Sequence, residues 1–216
     1  MKRAAIFDLD RTLVRVNTAA LFVRWQVKRG EARRRDLAKT LMYLARYTFG
    51  AIDAVAIVHR VALGMKGVDE AKFRSRMDAW VASDVLHHVT EAARTEVANR
   101  RAAGDLCAVL TSSTPYAAIP VATAVGIDHV LATRLEVKDG LFTGMIVEPV
   151  CYGAGKVALA EAWAAENDID LATSAFYTDS ISDRPMLERV GEPVVVNPDP
   201  RLRWLAWRRG WRVENW

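Results

Sequence analysis

Two cysteines in 216 residues are too few for a disulfide framework. Cys107 lies inside an apolar run and Cys151 in a loop, without metal-ligand spacing, so a reduced, cytoplasmic protein is the expectation. Also lacking is any run of about eighteen apolar residues. Arg46, Asp53, His59 and Arg60 interrupt the best candidate, which excludes a membrane span. Met1-Lys2-Arg3 is basic, but Asp8 cuts the apolar stretch behind it, so it does not read as a signal peptide. No internal repeat and no low-complexity tract occurs. An acidic excess is missing as well: 30 Lys and Arg against 26 Asp and Glu give a net charge of +4. Much of the basic surplus falls in two clusters, 28–39 and 201–212, and not in a continuous stripe. Clusters of that kind read first as solvated faces, and no nucleic-acid partner is expected.

What is present is globular. Hydrophobic residues make up 51% and charged residues 26%, enough for a proper core in one large domain or a domain plus an insert. The chain opens with Ala4-Ala5-Ile6-Phe7, a short apolar run that reads as a buried strand. Asp8, Asp10 and Thr12 follow at alternate positions. On extended chain alternate residues share a side, which would set the two carboxylates about 7 Å apart over one pocket. Two carboxylates that close repel, so one takes up a proton or both share a cation. A strand running into an Asx-type turn, its side chains capping backbone donors, is the bland reading of the same residues.

From Thr18 to about Ala103 only helical spacing is found. Leu21, Phe22 and Trp25 repeat at that spacing, as do Leu37, Leu41 and Leu44, then Val55, Val58 and Val61, then Phe73, Met77, Trp80 and Val81. Gly30, Gly50, Gly64 and Gly67 stand where these helices should stop. A longer helix is expected from about Val89 to Arg101. Beyond Leu106 strands and helices alternate: a strand at 106–110, a helix at 115–125, a hairpin turning at Lys138-Asp139-Gly140, a helix at 155–167, a strand at 174–178, a short helix at 182–189, a strand at 193–196 and a helix at 201–208. This pattern predicts an α/β fold, a Rossmann-like, mainly parallel sheet with helices on both faces. The block at 16–88 is then an all-helical insert after the first strand, and 1–15 with 89–216 make up the α/β core.

Ligands of open parallel sheets sit beyond the carboxyl ends of the strands. Three strands here finish in polar residues. The first ends in Asp8 and Asp10. The second ends in Thr111-Ser112-Ser113-Thr114-Pro115, where Thr114 is placed to cap a helix and the free N–H groups suit an anion; a capped helix alone explains those hydroxyls equally well. The third ends in Asp179-Ser180-Ile181-Ser182-Asp183. Asp183 suits a helix start, whereas Asp179 makes a third carboxylate at one edge. Oxygen ligands in that number suit Mg²⁺. Lys156 opens a helix, where a cation is disfavoured unless it faces an anion. Its surroundings are no phosphate-binding P-loop, because Val150 and Val157 stand where a glycine and a hydroxyl are needed.

In order, Asp8-Leu9-Asp10-Arg11-Thr12, the hydroxyl after the second strand, Lys156 and Asp179-Ser180-Ile181-Ser182-Asp183 resemble the four motifs of the haloacid dehalogenase-like (HAD) superfamily. The helical insert is similar to the C1 cap of its phosphoserine phosphatase-like branch, subfamily IB. The resemblance implies a Mg²⁺-dependent phosphomonoester hydrolase acting on a small phosphorylated metabolite. Asp8 would be the nucleophile that becomes an aspartyl phosphate, and Asp10 the general acid and base. Thr111 and Lys156 would hold phosphoryl oxygens. Thr111 is preferred because it directly ends the apolar run, while the Ser-Ser-Thr that follows leaves Ser112 open. Mg²⁺ would sit on a carboxylate oxygen of Asp8, the backbone carbonyl of Asp10, and Asp179, with Asp183 behind them.

Two departures from the family pattern stand out. Arg11 replaces a small residue and is expected at the pocket mouth, outside the chemistry. Asn17 occupies the position nine after the nucleophile, where phosphoserine phosphatases carry a glutamate that meets the substrate ammonium, which argues against phosphoserine. Arg33-Arg34-Arg35 beside Leu37, Leu41, Met42, Leu44 and Tyr47 is basic and apolar, as is the tail with Trp204, Trp207, Trp211 and Trp216. Such surfaces suit an anionic membrane and a lipid phosphate; packing against the core is the simpler account, so peripheral membrane contact is not the leading expectation. A non-catalytic binding protein on this fold is the last alternative, and the intact Asp8, Asp10, Lys156, Asp179 and Asp183 argue against it. His59, His87 and His88 are assigned no role, and nothing in the sequence specifies an oligomeric state.

Overall fold

The computed structural model describes residues 1–48 and 54–216. Gly50 and Asp53 lie outside the described residues, as do the side chains of Leu44, Arg46 and Tyr47. A six-stranded parallel sheet runs β3-β2-β1-β6-β7-β8, built from β1 (Ala4–Phe7), β2 (Leu106–Thr111), β3 (His129–Ala132), β6 (Ala175–Thr178), β7 (Glu192–Val196) and β8 (Arg212–Glu214). The strands are apolar on both sides because helices cover both sides. Ala5, Phe7, Cys107, Val109, Ala175, Tyr177, Val194 and Val196 point into one cluster. Ala4, Ile6, Ala108, Leu110, Phe176 and Val195 alternate into the other.

The first layer holds α5 (Glu91–Ala102) and α6 (Pro115–Ala124); the second holds α7 (Ala154–Asn167), the short α8 (Arg184–Leu187) and α9 (Pro200–Arg209). The α/β class, the mainly parallel sheet and its two helical faces agree with expectation. The insert contains α1 (Thr18–Lys28), α2 (Arg34–Thr48), α3 (Ala54–Gly64) and α4 (Glu70–Trp80), then a π-helical turn Val81–Val85 and a 3₁₀ turn Leu86–His88. Its Met77, Trp80, Val81 and Val85 join Phe7, Val109 and Tyr116 in one continuous core. Among the described residues no helix is long and apolar enough to cross a membrane.

Several elements differ from the sequence expectation. The edge strands β3 and β8 are absent from it; β3 offers only the short run Val130-Leu131-Ala132, and β8 is Arg212-Val213-Glu214, largely exposed at the rim. α5 begins at Glu91, where the Thr90 hydroxyl accepts from Ala93 N and sets the start. The hairpin is β4 (Arg134–Lys138) with β5 (Leu141–Val147), turning as expected on Asp139 (φ +52°) and Gly140 (φ +77°). It stands off the main sheet and packs on the insert. Gly67 N donates to Phe142 O at 2.8 Å, Phe142 N to Val68 O at 3.0 Å, and the Phe142 ring meets Phe73 edge-on at 5.6 Å.

Candidate active site

Parallel pairing carries three strand ends to one edge. Phe7 lies opposite Val109 on one side and Tyr177 on the other, so Asp8, Thr111 and Asp179 all emerge at the carboxyl end of the sheet. Asp8 N donates to Tyr177 O at 2.8 Å. The chain does not stay extended past Asp8, contrary to the alternation expected for residues 8, 10 and 12. β1 ends at Phe7, Arg11 turns left-handed at φ +55°, and Val14 N folds back to Leu9 O at 3.1 Å. The tight loop, not strand periodicity, brings Asp10 to the site. Thr12 ends up fully buried, its hydroxyl without a hydrogen-bond partner among the described residues.

Asp10 is held from the insert. Its Oδ1 accepts from Thr18 N at 2.9 Å and its Oδ2 from Asn17 Nδ2 at 3.1 Å, while Asn17 Oδ1 caps α1 by accepting from Ala20 N at 3.0 Å. Asn17 is therefore engaged with Asp10 and the helix start. Asn17→Ala should lower stability by about 1 kcal/mol through the lost cap. Asn17→Asp keeps a capping oxygen but sets a second carboxylate against Asp10, and should do no better than alanine. Urea midpoints at neutral pH check both; a neutral alanine variant contradicts the assignment.

Lys156, in the first turn of α7, is 2% exposed and spans the gap between strand ends. Its Nζ donates to Asp8 Oδ1 at 2.8 Å and to Asp183 Oδ2 at 2.7 Å. This answers why a cation opens a helix: its anionic partners are fixed carboxylates. The close start of α7 requires glycine at 155, where a Cβ would sit 1.9 Å from Val150 O. Asp183 Oδ2 also accepts from the Thr178 hydroxyl at 2.6 Å. Asp199 ties down the loop between the two aspartates: its Oδ2 accepts from Ile181 N at 2.9 Å, and its N donates to Asp179 O at 3.0 Å.

Lys156 is shared by Asp8 and Asp183, and the surplus of negative charge shows in the proton affinities of Asp8, Asp10 and Asp179. Burial raises Asp8 to about 7; Lys156 pulls the other way, and the nearby Asp183 and Asp10 push further up. Asp179 is held well above the ordinary carboxylate range by burial, then by Asp8 and Asp183, with Arg11 opposing from 4.0 Å. Asp10 is raised by burial against the relief of its Thr18 bond. Burial alone would lower Lys156, but Asp183 and Asp8 more than reverse it and hold the ammonium charged. Cys151, buried beside this group, is pushed up to about 12, chiefly by burial, and stays a neutral thiol.

The second strand end is less open. Thr111 is buried, and its hydroxyl accepts from Ser113 N at 3.1 Å; Ser112 is half-buried. Thr114 occupies the cap position of α6 with Pro115 next, yet its hydroxyl makes no capping bond, contrary to expectation. Not anticipated from sequence are Thr178, Asp199 and Cys151, and the approach of Arg11, expected only at the pocket mouth, to Asp179. Asp199-Pro200 is a readable helix start, but only the fold shows its second oxygen on the loop of Asp179. Arg11 reaches Asp179 through a left-handed turn that no periodicity announces.

The donor set suits a hard divalent cation. Asp8 and Asp179 offer carboxylate oxygens with surplus negative charge, and Asp8 Oδ2 makes no hydrogen bond among the described residues. Among the described residues no three carboxylate, imidazole or thiol side chains form a ready-made metal cage. Two carboxylates completed by a main-chain carbonyl and water would make up an oxygen set of the kind Mg²⁺ prefers.

The haloacid dehalogenase-like hydrolase family model matches residues 5–188. A histidinol-phosphatase of Neisseria meningitidis is 31% identical across 100% of this chain and 99% of its own. A protein of unknown function from Bordetella pertussis has the same fold at a TM-score of 0.88 and 30% identity, covering 99% of this chain and 98% of that one. A phospho-aspartyl intermediate analogue of phosphoserine phosphatase superposes at a TM-score of 0.73 and 20% identity, over 99% of this chain and 93% of the other, a likeness of fold.

Proposed function

This chain belongs to the haloacid dehalogenase-like hydrolase family, and from that premise we propose that it is a Mg²⁺-dependent phosphomonoesterase working through an aspartyl phosphate on Asp8. The observation that carries this is Lys156, buried and shared between Asp8 and Asp183, beside Asp179 at the ends of adjacent parallel strands. Asp8 Oδ2 attacks phosphorus and the ester P–O bond breaks. Asp10 gives its proton to the leaving oxygen, then takes one from the water that attacks the aspartyl phosphate, releasing phosphate and restoring the carboxylate. Lys156 keeps Asp8 oriented through Oδ1 and meets a phosphoryl oxygen as the substrate enters; Thr111 or Ser112 holds another. Mg²⁺ on Asp8, the Asp10 carbonyl and Asp179, with Asp183 behind them, would offset the charge between an anionic nucleophile and an anionic phosphate.

Residues 16–88 act as the cap over the core of 1–15 and 89–216, excluding bulk water. The substrate is a small phosphate ester. Asn17 already serves Asp10 and α1, so no free carboxylate waits there for the ammonium of phosphoserine. Histidinol phosphate is the first ester to test, because the Neisseria relative is named for it. Two buried free thiols, Cys107 and Cys151, fit a cytoplasmic location.

Hydrolysis of p-nitrophenyl phosphate with Mg²⁺ tests the proposal. Chelation by EDTA should lower the rate at least about a hundredfold, and Mg²⁺ should restore it. A rate indifferent to chelation overturns the metal assignment. A panel of phosphate monoesters including phosphoserine and histidinol phosphate then ranks substrates by kcat/KM.

A further inference from the structure

The tail was expected to pack its tryptophans against the core, and the fold divides them. Trp211 and Trp216 pack against the core clusters, whereas Trp204 and Trp207 on α9 are 56% and 78% exposed. α9 buries Leu202, Leu205 and Ala206 against the sheet. At about 100° per residue the opposite arc reads Arg203, Trp207, Trp204, Arg208, Arg201, with the two indoles at its centre and arginines on both flanks. The Arg208 guanidinium lies 4.8 Å from the Trp204 ring. No Asp or Glu occurs between Pro200 and Val213, a stretch with five arginines. Arg209 is turned away to Glu188 at 2.8 Å.

We propose that this face of α9 rests on an anionic lipid bilayer, Trp204 and Trp207 entering the headgroup boundary and Arg203 and Arg208 meeting lipid phosphates. The flanks of the two indoles are cationic, so the surface that takes them carries negative charge beside apolar matter, as a bilayer of anionic lipid does. Indoles prefer the boundary between headgroups and acyl chains, and guanidinium groups bind phosphate oxygens in pairs. A single-stranded nucleic acid also combines stacking with phosphates, but it is tracked by a groove, and this face is the convex side of a helix. The core-facing residues of α1 and α4 pack into the other layer of the sheet, away from the cluster that holds α9. The inference is independent of the hydrolytic site.

Flotation of the full chain with phosphatidylglycerol–phosphatidylcholine vesicles tests it. The protein should float at low salt, be released as salt rises, and show a blue shift of tryptophan emission. The Trp204→Ala/Trp207→Ala variant should partition at least about tenfold less, and each of Arg203→Glu and Arg208→Glu at least about fivefold less. All are exposed substitutions, so melting curves should match the parent. Absence of flotation at low salt, equal binding to pure phosphatidylcholine, or a double tryptophan variant that floats like the parent each overturns the proposal. So does tryptophan-dependent binding of a single-stranded oligonucleotide without binding of anionic vesicles.

Discussion

Asp8→Asn should abolish phosphate ester hydrolysis, lowering kcat/KM by at least about a thousandfold, in a protein that folds as the parent does. The amide is nearly isosteric, and its oxygen can still accept from Lys156 Nζ, now 2.8 Å from Asp8 Oδ1. What disappears is the attacking carboxylate. The fold should gain where activity is lost. Asp8 is an expensive anion in this setting, raised to about 7 by burial despite Lys156; a neutral amide removes its repulsion with Asp179 and Asp183. The metal-free variant should therefore melt at the same temperature as the parent or above it. Thermal unfolding and p-nitrophenyl phosphate turnover, measured on the same sample, separate the two effects. Activity within about tenfold of the parent would exclude Asp8 as the nucleophile. Mass spectrometry of the acid-quenched parent should show a phosphoryl adduct on Asp8, absent from the variant.

Much of this site was legible because strand ends carry their own signature. An apolar run that stops at a carboxylate marks both Asp8 and Asp179, and the parallel direction of the strands follows from the helices between them, whereas their order, with β1 between β2 and β6, is given only by the fold. Lys156 stood out by being wrong for its place, a cation at a helix start. Short edge strands were not legible: β3 and β8 are three or four residues long and owe their pairing to a neighbouring strand beyond an intervening helix. Nor did spacing reveal how Asp10 arrives. Alternation predicted a shared face on extended chain, but a left-handed residue at Arg11 turns the loop, and Asn17 and Thr18 catch the carboxylate. Side chains that act through a second bond, such as Thr178 on Asp183, were invisible for the same reason. Their partners are chosen by the fold, and no residue type advertises them.

Lys156→Met should be the most destabilising change at the site, by about 3–5 kcal/mol at neutral pH. Methionine fills the volume but withdraws the buried ammonium that Asp8 and Asp183 share. The carboxylates are then left with their desolvation uncompensated, apart from the distant and half-exposed Arg11. The penalty should shrink in acid, and the sign follows from proton binding. Asp8 already titrates at about 7 when folded and at 3.8 as a free side chain, and losing Lys156 raises it further. Below about 7 folded parent and folded variant both hold this proton, and above it only the variant keeps it, so the variant falls further behind the parent as pH rises past that point and the penalty shrinks as pH drops. Adding Asp183→Asn should return part of the loss by removing one of the stranded charges, a coupling that two distant, independent sites would not show. Urea titrations of the parent, both single variants and the double variant at pH 5 and pH 8, about the edges of the carboxylate window, provide the cycle. A Lys156→Met protein within about 1 kcal/mol of the parent at the upper pH would mean that the ammonium is not what holds these aspartates together.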